Sequence, residues 1–183
     1  MRALIVDGYN VIHAWPDLKR ALAEGGLEHA RNRLTHTLAE YAAQSGTQVT
    51  VVYDAHRKRD GNQEDVVDGV TVRFGSSDAS ADHVIERLAY EAARGGRGAD
   101  VVVATSDRLQ RSLVSAMGVA TLSALALQEE VARVLAERER ASHRLRSAAR
   151  TARRVEDSLS EETRRRLEAL RRGDAASPAG GDT

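Results

Sequence analysis

Ala3-Leu4-Ile5-Val6-Asp7, a short unbroken apolar run that stops on an acid, decides the fold class of this chain. A strand with one face in water alternates apolar and polar residues, whereas a strand covered on both faces reads as a continuous apolar stretch. The pattern recurs twice. Val49-Thr50-Val51-Val52-Tyr53 runs into Asp54, and Val101-Val102-Val103-Ala104-Thr105-Ser106 runs into Asp107. In an open parallel sheet, ligands bind in the crevice beyond the carboxyl ends of the strands. Three acids that end three such strands therefore converge on one rim, although they are distant in sequence.

Helical patterns separate the strands. Leu27, Ala30, Leu34, Leu38, Tyr41 and Ala42 recur at helical spacing, and Gly46 supplies a stop. Residues 56–69 are charged and glycine-containing and read as a loop. Val70-Thr71-Val72-Arg73-Phe74 alternates like a half-exposed, peripheral strand. Ser80 is the expected N-cap of a helix that turns Val84, Ile85, Leu88, Ala89 and Ala92 inward and closes at Gly95-Gly96. A further helix starts at Ser106 or Asp107 and stops at Gly118, Val119–Leu122 is a last short strand, and Ser123 caps the next helix. Strands alternating with helices predict an α/β fold with a mostly parallel sheet covered on both faces.

Composition narrows the chemistry. The 183 residues suit one globular domain with a tail, and aromatics make up only 3% of them, so aliphatic side chains and alanine must fill the core. There is no cysteine, which removes disulfides, thiolate zinc sites and cysteine nucleophiles together. Asp7 interrupts the first apolar run too early for a secretory signal, and no stretch is long enough to cross a bilayer. A cytoplasmic protein with no membrane partner is the expectation. The formal net charge of zero hides an uneven distribution: between Arg133 and Arg172 stand thirteen arginines and seven acids. An acidic body with a basic arm suits metal binding at one place and a polyanion at another, while a solvated helix of alternating charge is the plainer account. From Leu125 to about Ala152 that helical pattern continues, Ser158-Leu159-Ser160-Glu161 has the form of a capping box for a last short helix, and residues 174–183 read as a disordered tail. The expected organisation is a domain over 1–132, a basic helical extension over 133–173 and the tail.

Each candidate residue has a functional and a structural reading. Carboxylates crowded on one rim repel, and a hard divalent cation with oxygen ligands relieves that repulsion. Asp7 is the foremost candidate ligand, and otherwise a strand-end turn residue bonding its own backbone. Asp82, in the first turn of the Ser80-capped helix, is either a ligand or a partner for the helix dipole. Asp107 is a ligand, an N-cap, or both. Asp54 is carried by the start of the 56–69 loop, and Asn10 hydrogen-bonds a ligand, Asp7 or its own turn. His13, His56 and His83 lie near acids but are read as surface histidines. Arg57, Lys58 and Arg59 are placed to hold phosphates beside Asp54, or simply to keep a loop solvated. Tyr9 and Trp15 are the only aromatics expected near the rim, which favours binding through backbone charge over base-by-base stacking.

Several α/β enzyme classes fit this sequence poorly. No Gly-x-Gly-x-x-Gly or Walker loop is present to cradle a nucleotide. Asp7-Gly8-Tyr9-Asn10 lacks the second aspartate of an aspartyl-phosphate phosphatase. A receiver domain would carry a lysine on a late strand, and the only lysines are Lys19 and Lys58.

Asp7-Gly8-Tyr9-Asn10-Val11-Ile12, Tyr53-Asp54-Ala55, Ser80-Ala81-Asp82 and Ala104-Thr105-Ser106-Asp107 together resemble the NYN domain of the YacP-like family, within the PIN-like nucleases. The resemblance spans residues 1 to about 132 and extends to Leu159–Thr163 and Leu167–Arg172. It implies a three-layer α/β/α sandwich with a C-terminal helical extension, a Mg²⁺ or Mn²⁺ site, and endoribonuclease activity on single-stranded or messenger RNA. A bacterial relative in this group cuts messenger RNA in a ribosome-dependent way, so the ribosome is an implied partner. By motif, Asp7, Asp82 and Asp107 form the metal site, with Asp54 and Asn10 as supporting members. Arg57, Lys58, Arg59, Arg144, Arg146, Arg150, Arg153 and Arg154 are the expected RNA contacts. Where relatives show a glutamate-threonine pair before the helix aspartate, this chain has Ala79-Ser80-Ala81, so no ligand is expected there. The competing expectation is a PIN-like module that binds RNA or the ribosome without cutting. A DNA-directed flap nuclease ranks last, for want of a helical arch.

Overall fold

A computed structural model describes residues 2–54, 64–76, 80–158 and 161–171. Six strands form one sheet in the order β3-β4-β2-β1-β5-β6, with β1 (Ala3–Asp7) near its centre. β1 lies parallel to β2 (Gln48–Tyr53) and to β5 (Val101–Ala104), in registers that pair Asp7 with Val52 and Val6 with Ala104. β4 (Val70–Phe74) runs parallel to β2, and β6 (Ala120–Leu122) parallel to β5. Among the described strands, only β3 (Glu64–Val67) is antiparallel, paired with β4.

Alternate side chains of the buried strands feed two cores. Leu4 and Val6 join Val49, Val51, Val70 and Val72 under α1 (Gly8–Ala14), α2 (Pro16–Ser45) and the start of α5 (Ala124–Ser158). Ile5 faces the other way, with Val52, Val101 and Val103, toward α3 (Ala81–Arg94) and α4 (Arg108–Ala116). The expected α/β/α sandwich with a mostly parallel sheet is therefore the fold found. Residues Met1–Arg138 form one compact unit and Glu139–Thr183 a second, which holds α6 (Glu161–Arg171). Leu127 and Val131 of α5 are buried in the first unit. Among the described residues, no helix is long and apolar enough to cross a membrane.

Three local expectations differ. The segment 56–69 is not a loop throughout, because Glu64–Val67 is a strand; its Val66 and Val67 point to solvent, so it carries no burial pattern. That strand takes the sheet edge, so β4 lies one place inside it rather than at the periphery. The first helical layer also starts earlier than Leu27, with α1 and the Pro16 end of α2. Within α2 the chain bends at Gly26, whose φ of 75° suits a residue without a side chain. Residues 55–63 and the tail 172–183 lie outside the described residues, as does the Leu159-Ser160 part of the capping box.

Candidate active site

The three strand-end acids reach one rim because their strands are neighbours and parallel. Asp7 ends β1 and caps α1, its Oδ1 accepting the Asn10 backbone N–H at 3.1 Å. Its Oδ2 accepts the hydroxyl of Thr105 at 3.3 Å, and that fully buried hydroxyl accepts the Asp107 N–H at 3.2 Å. One threonine just past β5 thus ties two acids together across the sheet. Asp107 caps α4, accepting from the N–H groups of Leu109 (2.7 Å) and Gln110 (3.1 Å). Asp54, next after β2, accepts the Ala81 N–H at 2.7 Å and docks the start of α3 onto the strand end. Ser80 caps α3, as the sequence predicts, which places Asp82 in its first turn. The Gln110 side chain, only 4% exposed, donates to Asp82 Oδ1 at 2.6 Å. Asn10 is engaged through its carbonyl oxygen, which accepts the Ser106 N–H at 2.9 Å.

The electrostatics show that these acids share one neighbourhood. Burial pushes the Asp7 pKa up, and the charges of Asp82 and Asp54 push in the same direction against the Asn10 and Thr105 bonds. Asp82 is likewise raised, first by burial and then by Asp54 and Asp107, with His83 and Gln110 opposing. Among the described residues, no three Asp, Glu or His side chains stand close enough to surround one ion as they are placed. The two observations measure different things, since charges interact well beyond ligand distance. The donor chemistry fits a Mg²⁺-class ion: the oxygens are hard, cysteine is absent, and such an ion keeps several waters and takes one or two carboxylates directly.

Other predicted residues fall differently. Trp15 is not a rim aromatic; it is buried and its indole N–H donates to the Ala124 carbonyl at 2.7 Å. Instead Tyr53 and Phe74, at the ends of β2 and β4, join Tyr9: ring centroids lie 5.2 Å apart for Tyr9–Tyr53 and 5.7 Å for Tyr53–Phe74. Arg57, Lys58, Arg59 and His56 lie outside the described residues. Arg144, Arg146, Arg150, Arg153 and Arg154 are all exposed on α5 in the second unit, and the last four recur at spacings that share one helix face. His13 is exposed, and His83 Nδ1 lies 3.0 Å from the Ser80 hydroxyl. The sequence assigns no role to Thr105 or Gln110, which position Asp7, Asp82 and Asp107, because neither residue type is distinctive there. A cleft of about 500 Å³ lies elsewhere, bordered by Arg2, Ala3, Thr47 and Val102 near the strand starts and by Glu129 and Arg133; Asp7, Asp54, Asp82 and Asp107 do not line it.

The sequence profile of the YacP-like NYN domain matches residues 4–172. The chain belongs to the YacP-like NYN domain family. Within that family, a Bacillus subtilis (strain 168) protein named uncharacterized protein YacP is 36% identical over 174 residues, covering 95% of this chain and 99% of the relative. Two crystal structures of Rae1 (YacP) from Bacillus subtilis are similar to this fold. One, 35% identical, covers 97% of this chain and 100% of that one with a TM-score of 0.64. The other, a tryptophan-to-leucine variant, is 32% identical over 93% and 99% of the two chains, with a TM-score of 0.67. Membership in the YacP-like NYN family places the chain among the PIN-like nucleases.

Proposed function

We propose that this YacP-like NYN protein is a metal-dependent endoribonuclease that cuts single-stranded or messenger RNA, with the ribosome as the partner that presents the message. The observation that carries the reading is the electrostatic crowding of Asp7, Asp54, Asp82 and Asp107 at the carboxyl ends of β1, β2 and β5, which raises the pKa of Asp7 and Asp82 in concert with burial. Asp7, Asp82 and Asp107 would hold Mg²⁺ or Mn²⁺. When bound, such an ion polarises a phosphate oxygen and favours deprotonation of water, the attacking group.

The remaining work belongs to the chain. Thr105 fixes the Asp7 carboxylate through Oδ2, and Gln110 fixes Asp82 through Oδ1. Asp54 holds the first turn of α3 against β2, and so sets where Asp82 stands relative to Asp7. Asn10 locks the turn after β5 through Ser106, which places Asp107. Rigid placement of this kind is what lets a few groups act together on one phosphodiester. Arg57, Lys58, Arg59 and the exposed α5 arginines would hold the RNA backbone, and the cytoplasm is the compartment in which messages and ribosomes meet this chain.

A second reading, a module that binds RNA or the ribosome without cutting, draws on the lack of any three acids within ligand reach of one point among the described residues. One experiment separates the two. Wild-type protein and Asp7→Asn are incubated with single-stranded RNA, and with translating ribosomes, in Mg²⁺ or Mn²⁺. Cleavage by the wild type alone supports the nuclease. Intact RNA that both proteins bind supports the module.

A further inference from the structure

We infer that Arg31, held over the rings of Tyr53 and Phe74, is a binding residue for a backbone phosphate of the RNA strand. The inference rests on the RNA-directed reading above and adds a subsite that the sequence did not suggest. The chain has six aromatic residues in all, one Trp, four Tyr and one Phe, and three of them cluster at the rim. The Arg31 guanidinium carbon lies 5.8 Å from the Tyr53 ring centroid and 5.7 Å from that of Phe74. Cation–π contact at such distances orients a guanidinium over the ring faces and leaves its N–H edge available.

Arg31 makes no ion pair among the described residues, although Asp7 and Asp54 flank the same ring cluster in sequence. Its charge and that of Asp54 both act on the Tyr9 phenol, in opposite directions. Arg31 itself is half-buried, on the part of α2 that follows the Gly26 bend. A planar, permanently charged donor set on a ring platform suits a phosphodiester anion. The carboxylates alone would repel such a strand. Arg31 supplies a positive charge on the ring cluster at this rim, with Tyr9 and Phe74 as partly exposed rings alongside.

The test is fluorescence anisotropy of a fluorescein-labelled single-stranded oligoribonucleotide of mixed sequence, titrated over a range of salt concentrations in EDTA so that the strand stays intact. Arg31→Met keeps the alkyl stem over the rings and removes the charge, Arg31→Lys keeps the charge without the planar fork, and Arg20→Gln is a control at an exposed arginine on the other side of the bend. Removing one phosphate interaction with a single strand lowers the slope of log K against log salt by about 0.7. Arg31→Met is expected to bind more weakly with that lower slope. Arg31→Lys should keep the slope with weaker binding, and Arg20→Gln should keep both.

An unchanged slope in Arg31→Met overturns the subsite and leaves the nuclease reading standing. Loss of slope in Arg31→Met, in a protein that cuts no RNA once Mg²⁺ or Mn²⁺ is restored, supports the subsite and removes the nuclease. Wild-type protein that fails to bind the oligoribonucleotide at low salt overturns both. Should Arg31→Met fail to fold, the Arg31→Lys titration decides: a lowered slope with the charge retained overturns the phosphate contact.

Discussion

Asp7→Asn is expected to make the fold more stable at neutral pH while abolishing cleavage. Burial and the charges of Asp82 and Asp54 hold the Asp7 pKa above its ordinary value, so the native state binds this proton more tightly than the unfolded chain does. Stability therefore falls as pH rises through the interval between the unfolded and the raised native value, and the full penalty is present above it. Asparagine removes the charge and keeps the contacts. Its oxygen can accept the Asn10 N–H, since Asn caps helices about as well as Asp, and its amide can donate to the Thr105 hydroxyl oxygen. Relieving strain of this kind at a functional site is worth about 0.5–2 kcal/mol. At about 2–4 °C per kcal/mol for a chain of this size, Tm should rise by roughly 1–8 °C in EDTA at pH 7. The difference should shrink on acidification, because wild-type Asp7 then becomes neutral as well. Mn²⁺ should reverse the order: an ion at about 100 times its Kd adds about 2.7 kcal/mol to a chain that binds it, and nothing to one that cannot. Thermal melts at pH 7 and pH 4, with EDTA and with Mn²⁺, read all four quantities. A lower Tm for Asp7→Asn in EDTA at pH 7, or a gap that persists at pH 4, refutes the reasoning.

Three further outcomes follow from particular contacts. Gly8→Ala would drive a methyl into Cε1 of Tyr53, on a ring with almost no exposed surface, and should destabilise the fold by about 1–3 kcal/mol in urea denaturation. An unchanged midpoint would mean that the ring yields at no cost. Gln110→Leu keeps the buried volume but removes the donor to Asp82, whose pKa then moves further up. Cleavage should fall about 10–100-fold and the acid limb of its pH profile should move to higher pH, and a limb that does not move would sink the positioning role. Replacing Arg150, Arg153 and Arg154 together with Gln should weaken RNA binding and lower its salt slope by about 0.7 for each phosphate no longer held, whereas an unaltered slope removes the α5 arm from the interface.

The strands and their terminal acids were legible because burial on both faces leaves an unbroken apolar run, which few other environments tolerate. Ser80, Asp107 and Ser123 were legible as caps because the orphan N–H groups of a helix start favour such side chains; all three accept them. β3 was not, since a short edge strand with two exposed valines has no burial pattern to display. Nor was the helix over Gly8–Ala14, hidden by the turn character of Asp7-Gly8 and by Asn10, and placed where Gly8 allows close approach to Tyr53. Trp15 misled because nearness in sequence to Asp7 does not set direction: its helix turns it into the core, toward the Ala124 carbonyl.

Sequence alone determined the class of fold, the chemical type of the candidate donors and the end of the sheet where they gather, because hydrophobic period and strand polarity are local properties of the chain. Only the tertiary structure decided which groups steady them. Thr105 bridging Asp7 to the Asp107 backbone, Gln110 reaching Asp82, and Arg31 resting on Tyr53 and Phe74 each join residues remote in sequence. Their partners are set by sheet order and helix packing, which no local pattern encodes.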